Sequence, residues 1–299
     1  MTESHGILGR LSVRQIKLLR AFFTLSMVCG IAFMLYPAAW RLYSMYVSVR
    51  LAEKYQQTVD ECPAQSILDE LDRAYAYNRA HAINTIEDPF GDDPSAQLKN
   101  EEYYALLDPM GNGVMGYLDI PKINQRLNIY HGTDDEALER GVGHLQGTSL
   151  PVGGEGTHCV ISGHRGLPSA KIFTDLDRLN PGDRVQLHVL GIDMTYAVDN
   201  IEVVTPDVVD SLAIVPGADL LTLVTCTPYA VNTHRMLVHC HRVPYSPEES
   251  PTTMGLVLLT PMRIVILMAL LVGLLLAPVV RRARLRRRRA DAGRGRHAR

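Results

Sequence analysis

Two long apolar runs, one near each end of the chain, limit what the rest of it can become. Residues 21–40 carry no charged side chain, which matches the roughly 20 residues a helix needs to cross a bilayer. Residues 255–280 carry a single charge, Arg263. Counted from residue 264, this second run offers 17 residues, the short end of the spanning range, with Arg263 placed to snorkel to the outer interface. A chain tethered at both ends has to fold whatever it folds between residues 41 and 254. A cleaved secretory leader would have a shorter apolar stretch and a small-x-small site after it, and neither is evident. The first run is therefore expected to be an uncleaved anchor.

Charge gives the tethers a direction. The formal net charge of −2 hides a strong segregation. Residues 1–20 hold Arg10, Arg14, Lys17 and Arg20 against Glu3, and residues 281–299 hold ten arginines against Asp291. What remains, 21–280, has 16 basic and 30 acidic residues. Basic ends directly beside apolar runs obey the positive-inside rule, and Tyr36, Trp40 and Tyr43 suit an outer aromatic belt. Both termini are thus expected in the cytoplasm and the acidic middle outside. A nucleic-acid-binding tail is the competing explanation for the arginine run, and the adjoining apolar segment disfavours it. Of five cysteines, Cys29 falls in the first run. Cys62, Cys159, Cys226 and Cys240 fall outside, where disulfides form, although their spacing makes no dense framework.

Between the tethers the pattern changes once. Residues 41–85 read as helical, interrupted at Cys62-Pro63 because proline disfavours helix in the residue before it. Residues 86–94, with two prolines and a glycine, read as a loop. From about residue 110 the pattern is β, with strands expected at 114–120, 127–131, 157–162, 184–190, 194–204, 220–226 and 235–243. Thr133 is expected to cap a short helix, with Glu136 at capping-box spacing, and 141–156 to be a glycine-rich connection. Seven or so closely spaced strands imply one closed or sandwiched β domain. The expected organisation is then a basic cytoplasmic end (1–20), a membrane helix (21–40) and a helical extension (41–109). A β domain (110–245), a linker (246–254), a second membrane helix (255–280) and an arginine-rich cytoplasmic tail (281–299) follow.

The chemistry concentrates at 221–235. A β-prone run ends in Thr225-Cys226, a loop follows, and Arg235 opens the next run. If the two runs pair as a hairpin, Cys226 and Arg235 lie at the same end, and a nearby cation favours thiolate. A small buried core cysteine is the bland alternative. A cysteine nucleophile needs a histidine. Of the eleven histidines, His131, His144, His158, His188, His239 and His241 lie in or beside strands, where a satisfied structural role is the default. His164 differs, since the strand 157–162 runs out into Gly163-His164-Arg165-Gly166, a turn that can aim a ring into a cleft. His158 and His234 follow behind it. A metal site at His234, His239, Cys240 and His241 is disfavoured, because Cys240 faces away from its neighbours and no second cluster has zinc-like spacing. No metal or other cofactor is expected.

These motifs resemble those of the sortases, and within them the class C, pilin-polymerising enzymes of Gram-positive bacteria. Thr222-Leu223-Val224-Thr225-Cys226 is similar to the family's TLxTC motif. Arg235 stands where the family has its catalytic arginine. The segment from Gly147-Thr148-Ser149-Leu150-Pro151 through Thr157-His158 to Ser162-Gly163-His164-Arg165-Gly166-Leu167-Pro168 resembles the one carrying the catalytic histidine. Asp88-Pro89-Phe90 resembles the class C lid, an Asp-Pro followed by an aromatic, with Phe where Trp is commoner. There the aspartate meets the catalytic arginine and the aromatic covers the cysteine. The likeness spans about 85–245 and the two-anchor layout.

The resemblance implies a mainly β fold. It is a sortase-type closed barrel of about eight strands with short helices, a helical lid-bearing N-terminal extension and two transmembrane helices. It implies a cysteine transpeptidase on the outer face of the plasma membrane of a Gram-positive bacterium. Cys226, His164 and Arg235 would be catalytic, and Asp88, Pro89 and Phe90 would form the lid. Its partners would be the lipid bilayer and pilin subunits, which bring an LPXTG-like sorting signal and an acceptor lysine. Attachment of proteins to peptidoglycan, hydrolytic release, and a non-catalytic surface scaffold are the competing functions. A Cys159–Cys240 disulfide is conceivable if their strands are neighbours.

Overall fold

The computed structural model describes residues 12–81, 90, 101–167 and 170–246. The chain divides into units Met1–Pro251 and Thr252–Arg299. The second unit, which holds the whole of the second apolar run and the arginine tail, lies outside the described residues, as do Asp88 and Pro89.

The first apolar run and the start of the extension are one helix. α1, Val13–Glu61, opens with a complete capping box between Ser12 and Gln15 and tolerates Pro37 in its interior. Over Lys17–Glu61 it is long and apolar enough to cross a membrane, and among the described residues it is the one such helix. It stops where the sequence says it must. Cys62 is extended and Pro63 precedes α2, Ala64–Ala80. Both helices are tied to the barrel by buried polar contacts. Tyr55 Oη donates to Met115 O (2.8 Å) and accepts from Leu190 N (3.1 Å). From α2, Asn78 accepts from Leu150 N (2.7 Å) and donates to Leu150 O (3.3 Å). A single turn, α3 (Glu101–Tyr104), buries Tyr103 completely.

Eight strands close the barrel. They are β1 (Val114–Ile120), β2 (Gln125–His131), β3 (Val142–His144), β4 (Thr157–Ser162), β5 (Arg184–Val189), β6 (Ile192–Val204), β7 (Asp219–Thr227) and β8 (His234–Val243). They run around the barrel as β1-β2-β3-β4-β7-β8-β6-β5, with β5 returning to β1. Closure leaves no free sheet edge. Two pairs are parallel, β2 with β3 and β4 with β7; the rest are antiparallel. Along β7, Leu221 and Leu223 point inward with Cys159 and Ile161 of β4 and Val238 and Cys240 of β8, in one large core. The alternate residues face out. Val224 joins Val160, Leu237, Leu145 and Leu212 in a second apolar cluster on the barrel's outside.

Three details differ from the expectations. The glycine-rich connection contains β3, a strand of only three residues whose Val-Gly-His pattern is too short to register as β periodicity. Gly143 sits so close to the neighbouring chain that a Cβ there would stand 2.2 Å from Gly132 O. The short helix α4, Asp135–Arg140, is capped by Asp134 rather than Thr133, and the Asp134 side chain accepts from Ala137 N. Both residue types cap helices, so spacing alone placed the start one residue early. Finally, Cys159 and Cys240 are not on neighbouring strands. Each is registered with Leu221 from opposite sides of β7, which puts them two strand spacings apart, roughly 9–10 Å, beyond disulfide reach. Both are free thiols whose pKa burial pushes up.

Candidate active site

The barrel sets the three candidate side chains in one transverse row across the end of β4, β7 and β8. In the antiparallel β7–β8 hairpin, Cys226 is registered directly with Arg235. Val224 and Leu237, two residues further in along each strand, face outward, so Cys226 and Arg235 share that outer face. On the other side of β7 the parallel register runs Ile161 with Leu223 and Ser162 with Val224. Continued by two residues, that register sets His164 beside Cys226. Two bonds hold it past the end of β4: Gly163 N donates to Val224 O (3.0 Å) and Thr225 Oγ1 donates to Gly163 O (2.7 Å). The structure therefore brings together all three residues that the sequence singled out, each from a different strand or strand end.

The loop carrying His164 is held on both sides. Phe173 N donates to His164 O (3.1 Å). Arg165 bridges the loop to β7, the strand of Cys226, donating to Thr227 Oγ1 (3.1 Å) and to Asp177 (2.6 Å). Gly166 lies under the Tyr229 ring, where a Cβ would come within 2.7 Å of it. These positioning contacts of Arg165, Asp177 and Tyr229 were not foreseen. Asp177 and Tyr229 sit in turns with no periodicity, and only the three-dimensional approach of two loops reveals them.

Phe90 closes the row from above. Its ring centroid is 6.0 Å from that of His164, and the Arg235 guanidinium carbon lies 5.2 Å from the ring centroid. It also packs against the outer apolar cluster. One aromatic side chain thus bridges two members of the row, through a cation–π contact on one side. Arg235 is 8% exposed and donates to the carbonyls of Asn232 (3.1 Å) and His234 (3.3 Å). These bonds fix the guanidinium to the hairpin loop.

The electrostatics of His164 combine burial with two nearby carboxylates. Burial lowers its pKa, while Asp135 and Glu139 on α4 pull it back up, so the ring is neutral at pH 7. A neutral imidazole can take a thiol proton. The strand histidines are occupied elsewhere. His131 contacts Gly113 O and Leu106 O, His144 contacts Tyr103 Oη and Ser149 O, and His188 pairs with Asp193. His158 and His239 meet at Thr222 Oγ1, His239 also reaching Glu202 (3.0 Å), and His241 contacts Asp199. His234 contacts Thr233 Oγ1. Cys226 is 8% exposed on the outer face, whereas Cys159 and Cys240 lie in the inner core.

The domain that carries this row has counterparts among known proteins. The sortase domain family matches residues 118–243. Sortase D of Bacillus subtilis is 33% identical over 134 residues, covering 45% of this chain and 63% of that protein; the match thus spans less than two thirds of the relative. Among solved structures, sortase C1 of Streptococcus agalactiae is 43% identical with a TM-score of 0.60, covering 66% of this chain and 100% of that one. Sortase C-1 of Actinomyces oris is 46% identical with a TM-score of 0.55, covering 60% of this chain and 99% of that one.

Proposed function

This chain belongs to the sortase family, and from that premise we propose that it is a membrane-anchored cysteine transpeptidase of the class C kind, joining pilin subunits through lysine isopeptide bonds. The observation that carries the reading is the transverse row of His164, Cys226 and Arg235 with Phe90 lying over it. A housekeeping enzyme that anchors proteins to peptidoglycan would have the same nucleophile and base. The aromatic seated over His164 and Arg235 favours the class C reading.

The geometry suggests a sequence of steps. The Cys226 thiol attacks the carbonyl between threonine and glycine of an LPXTG-like sorting signal, and its proton passes to neutral His164. The imidazolium then protonates the departing glycine amine, leaving a thioester. Arg235, held to the hairpin loop by two carbonyls, presents its guanidinium charge to the carbonyl oxygen as negative charge develops there. A lysine amine of the next subunit attacks the thioester. His164 takes its proton, the thiol is regained, and an isopeptide bond remains. Phe90 occupies the approach to this row, so substrate has to displace it. α1 supports anchoring at the membrane, and the basic flanks of the two apolar runs support a barrel outside with both termini in the cytoplasm.

The test uses the full-length protein in detergent or nanodiscs with a sorting-signal peptide and a lysine-bearing pilin domain. The expected products are the released C-terminal fragment and a peptide–lysine conjugate, both lost in Cys226→Ala. Free acid as the only product would replace the polymerase reading by hydrolysis. Conjugation to a peptidoglycan-type amine but not to the pilin lysine would replace it by wall anchoring. Undiminished conjugation by Cys226→Ala would remove Cys226 as the nucleophile.

A further inference from the structure

A cavity of about 460 Å³ opens where α1 leaves its charge-free run and meets β2 and α4. One wall comes from a single face of α1, with Trp40, Tyr43, Ser44 and Val47 stepping up the helix. The opposite wall is polar and comes from Asn128, Glu139 and Arg140. Leu167, three residues past His164, completes it.

Asn128, on the polar wall of this cavity, holds a buried acceptor with nothing to accept from. Asn128 is 1% exposed, and its Nδ2 donates to Ser48 O (3.0 Å) and Ser48 Oγ (3.2 Å). A carbonyl oxygen can only accept, so the amide nitrogen must face Ser48 and the orientation of the side chain is fixed. That leaves Asn128 Oδ1 buried without a partner, a condition that costs about 1–3 kcal/mol unless a donor arrives. Arg140, stacked 4.5 Å over the Tyr130 ring and 3.3 Å from Glu136, keeps further N–H groups of its five for an anion. The cavity therefore asks for a ligand with an anionic group and hydroxyl donors.

Its height above the membrane says where such a ligand is found. Residues 21–40 are 20 uncharged residues, and at ~1.5 Å each they span ~30 Å, the thickness of the hydrocarbon core. Ser44 then stands ~6 Å and Ser48 ~12 Å beyond the hydrocarbon edge. The headgroup zone is ~5–7 Å deep, which sets lipid phosphates near Ser44. A headgroup extended by one glycerol reaches the level of Ser48 and the amide bonded to it. Resting on the membrane-anchored reading, we propose that this cavity binds the headgroup of a phosphoglycerol lipid. Its phosphate lies on Arg140, its hydroxyls donate to Asn128 Oδ1 and Glu139, and its glycerol backbone lies against Trp40 and Tyr43. A lysine ammonium would satisfy Asn128 and Glu139 but not Arg140, and it has no reason to lie at headgroup height.

The experiment places the full-length protein in nanodiscs of equal phosphatidylglycerol and phosphatidylcholine, then counts lipids retained by native mass spectrometry. Phosphatidylglycerol is expected to be retained over phosphatidylcholine by roughly tenfold, the discrimination of one good charge-assisted contact. Arg140→Gln, at an exposed position, should abolish that preference without changing the lipid-free Tm. Trp40 is the sole tryptophan, so its emission should shift saturably with short-chain phosphatidylglycerol and not with phosphatidylcholine. Equal retention of both lipids, or a preference unchanged in Arg140→Gln, would overturn the proposal. So would Arg140→Gln or Glu139→Gln slowing transfer to lysine with no lipid preference, which would assign the cavity to the acceptor. Failure of the chain to enter nanodiscs would overturn the anchoring, and the lipid site with it.

Discussion

Phe90 sits between the His164 ring and the Arg235 guanidinium, so on the proposed function the side chain that covers the row would compete with substrate for it. A cation–π contact is worth ~0.5–2 kcal/mol depending on desolvation, and the apolar packing adds to it. Removing the ring should raise the population of uncovered Cys226 on the order of tenfold. Phe90→Ala is thus expected to speed reaction of Cys226 with a small thiol reagent by about that factor, measured as a second-order rate. Equal rates would take Phe90 out of the account. At this scale the sequence was informative where chemistry depends on local pattern. Cys226 and Arg235 could be paired because a hairpin brings its strand ends together, and His164 stood out because glycines flank it at a strand end. The proximity of Phe90, more than seventy residues before His164, followed from resemblance and not from spacing. Asp135 and Glu139, which counter the effect of burial on His164, gave no signal at all, because an acidic helix face is ordinary.

The element that matters most to the row is the segment leaving β4. Its position depends on two glycines with different jobs. Gly166 has φ +87° and lies under Tyr229. Gly163 has an ordinary φ, yet a Cβ there would come within 2.6 Å of the Phe173 ring, a fully buried side chain. Gly163→Ala should therefore push the loop away from β7, where Gly163 binds Val224 O and Thr225 Oγ1. Overpacking of this kind typically costs ~1–3 kcal/mol. The expected result is a fall in Tm together with a larger loss of transfer activity than of peptide binding, because His164 moves while the β7 face does not. A variant with full activity would show that the loop tolerates displacement. Elements with clear periodicity, β1, β2 and β4 to β8, were legible from sequence. β3 was not, because three residues pairing in parallel with β2 leave no alternation to detect. The start of α4 was misplaced by one residue because adjacent Thr133 and Asp134 are both good caps.

At the scale of the whole molecule, the alternation of strands pointed to a closed β domain, but the order in which they close could not be read. β7 lies between β4 and β8, and β6 pairs with β8 and β5, an arrangement set by long-range packing. Nor could the sequence foretell that α3 and the barrel would be joined through a buried histidine. His144 is fully buried, with Nε2 donating to Ser149 O (2.9 Å) and Nδ1 accepting from Tyr103 Oη (2.8 Å). Both bonds suit the neutral ring, and burial lowers its pKa to about 4 from an ordinary 6.5. The folded state therefore binds this proton less readily than the unfolded chain. Stability is full above pH 6.5 and falls as the pH drops toward 4, by on the order of 3 kcal/mol from this residue alone. Burial of His131 and His158 lowers their pKa values as well and steepens the same window. Asp119, held below its usual pKa by Arg126 and His188 against the cost of its burial, loses its contribution only at still lower pH. His144→Gln can still donate to Ser149 O but cannot gain the proton. It is expected to be less stable than wild type at pH 8, yet to lose less stability between pH 6.5 and 4, by about one proton's worth of slope. Urea unfolding of the two proteins at pH 8, 6 and 4.5 measures the difference, and parallel profiles would assign the acid sensitivity to other groups.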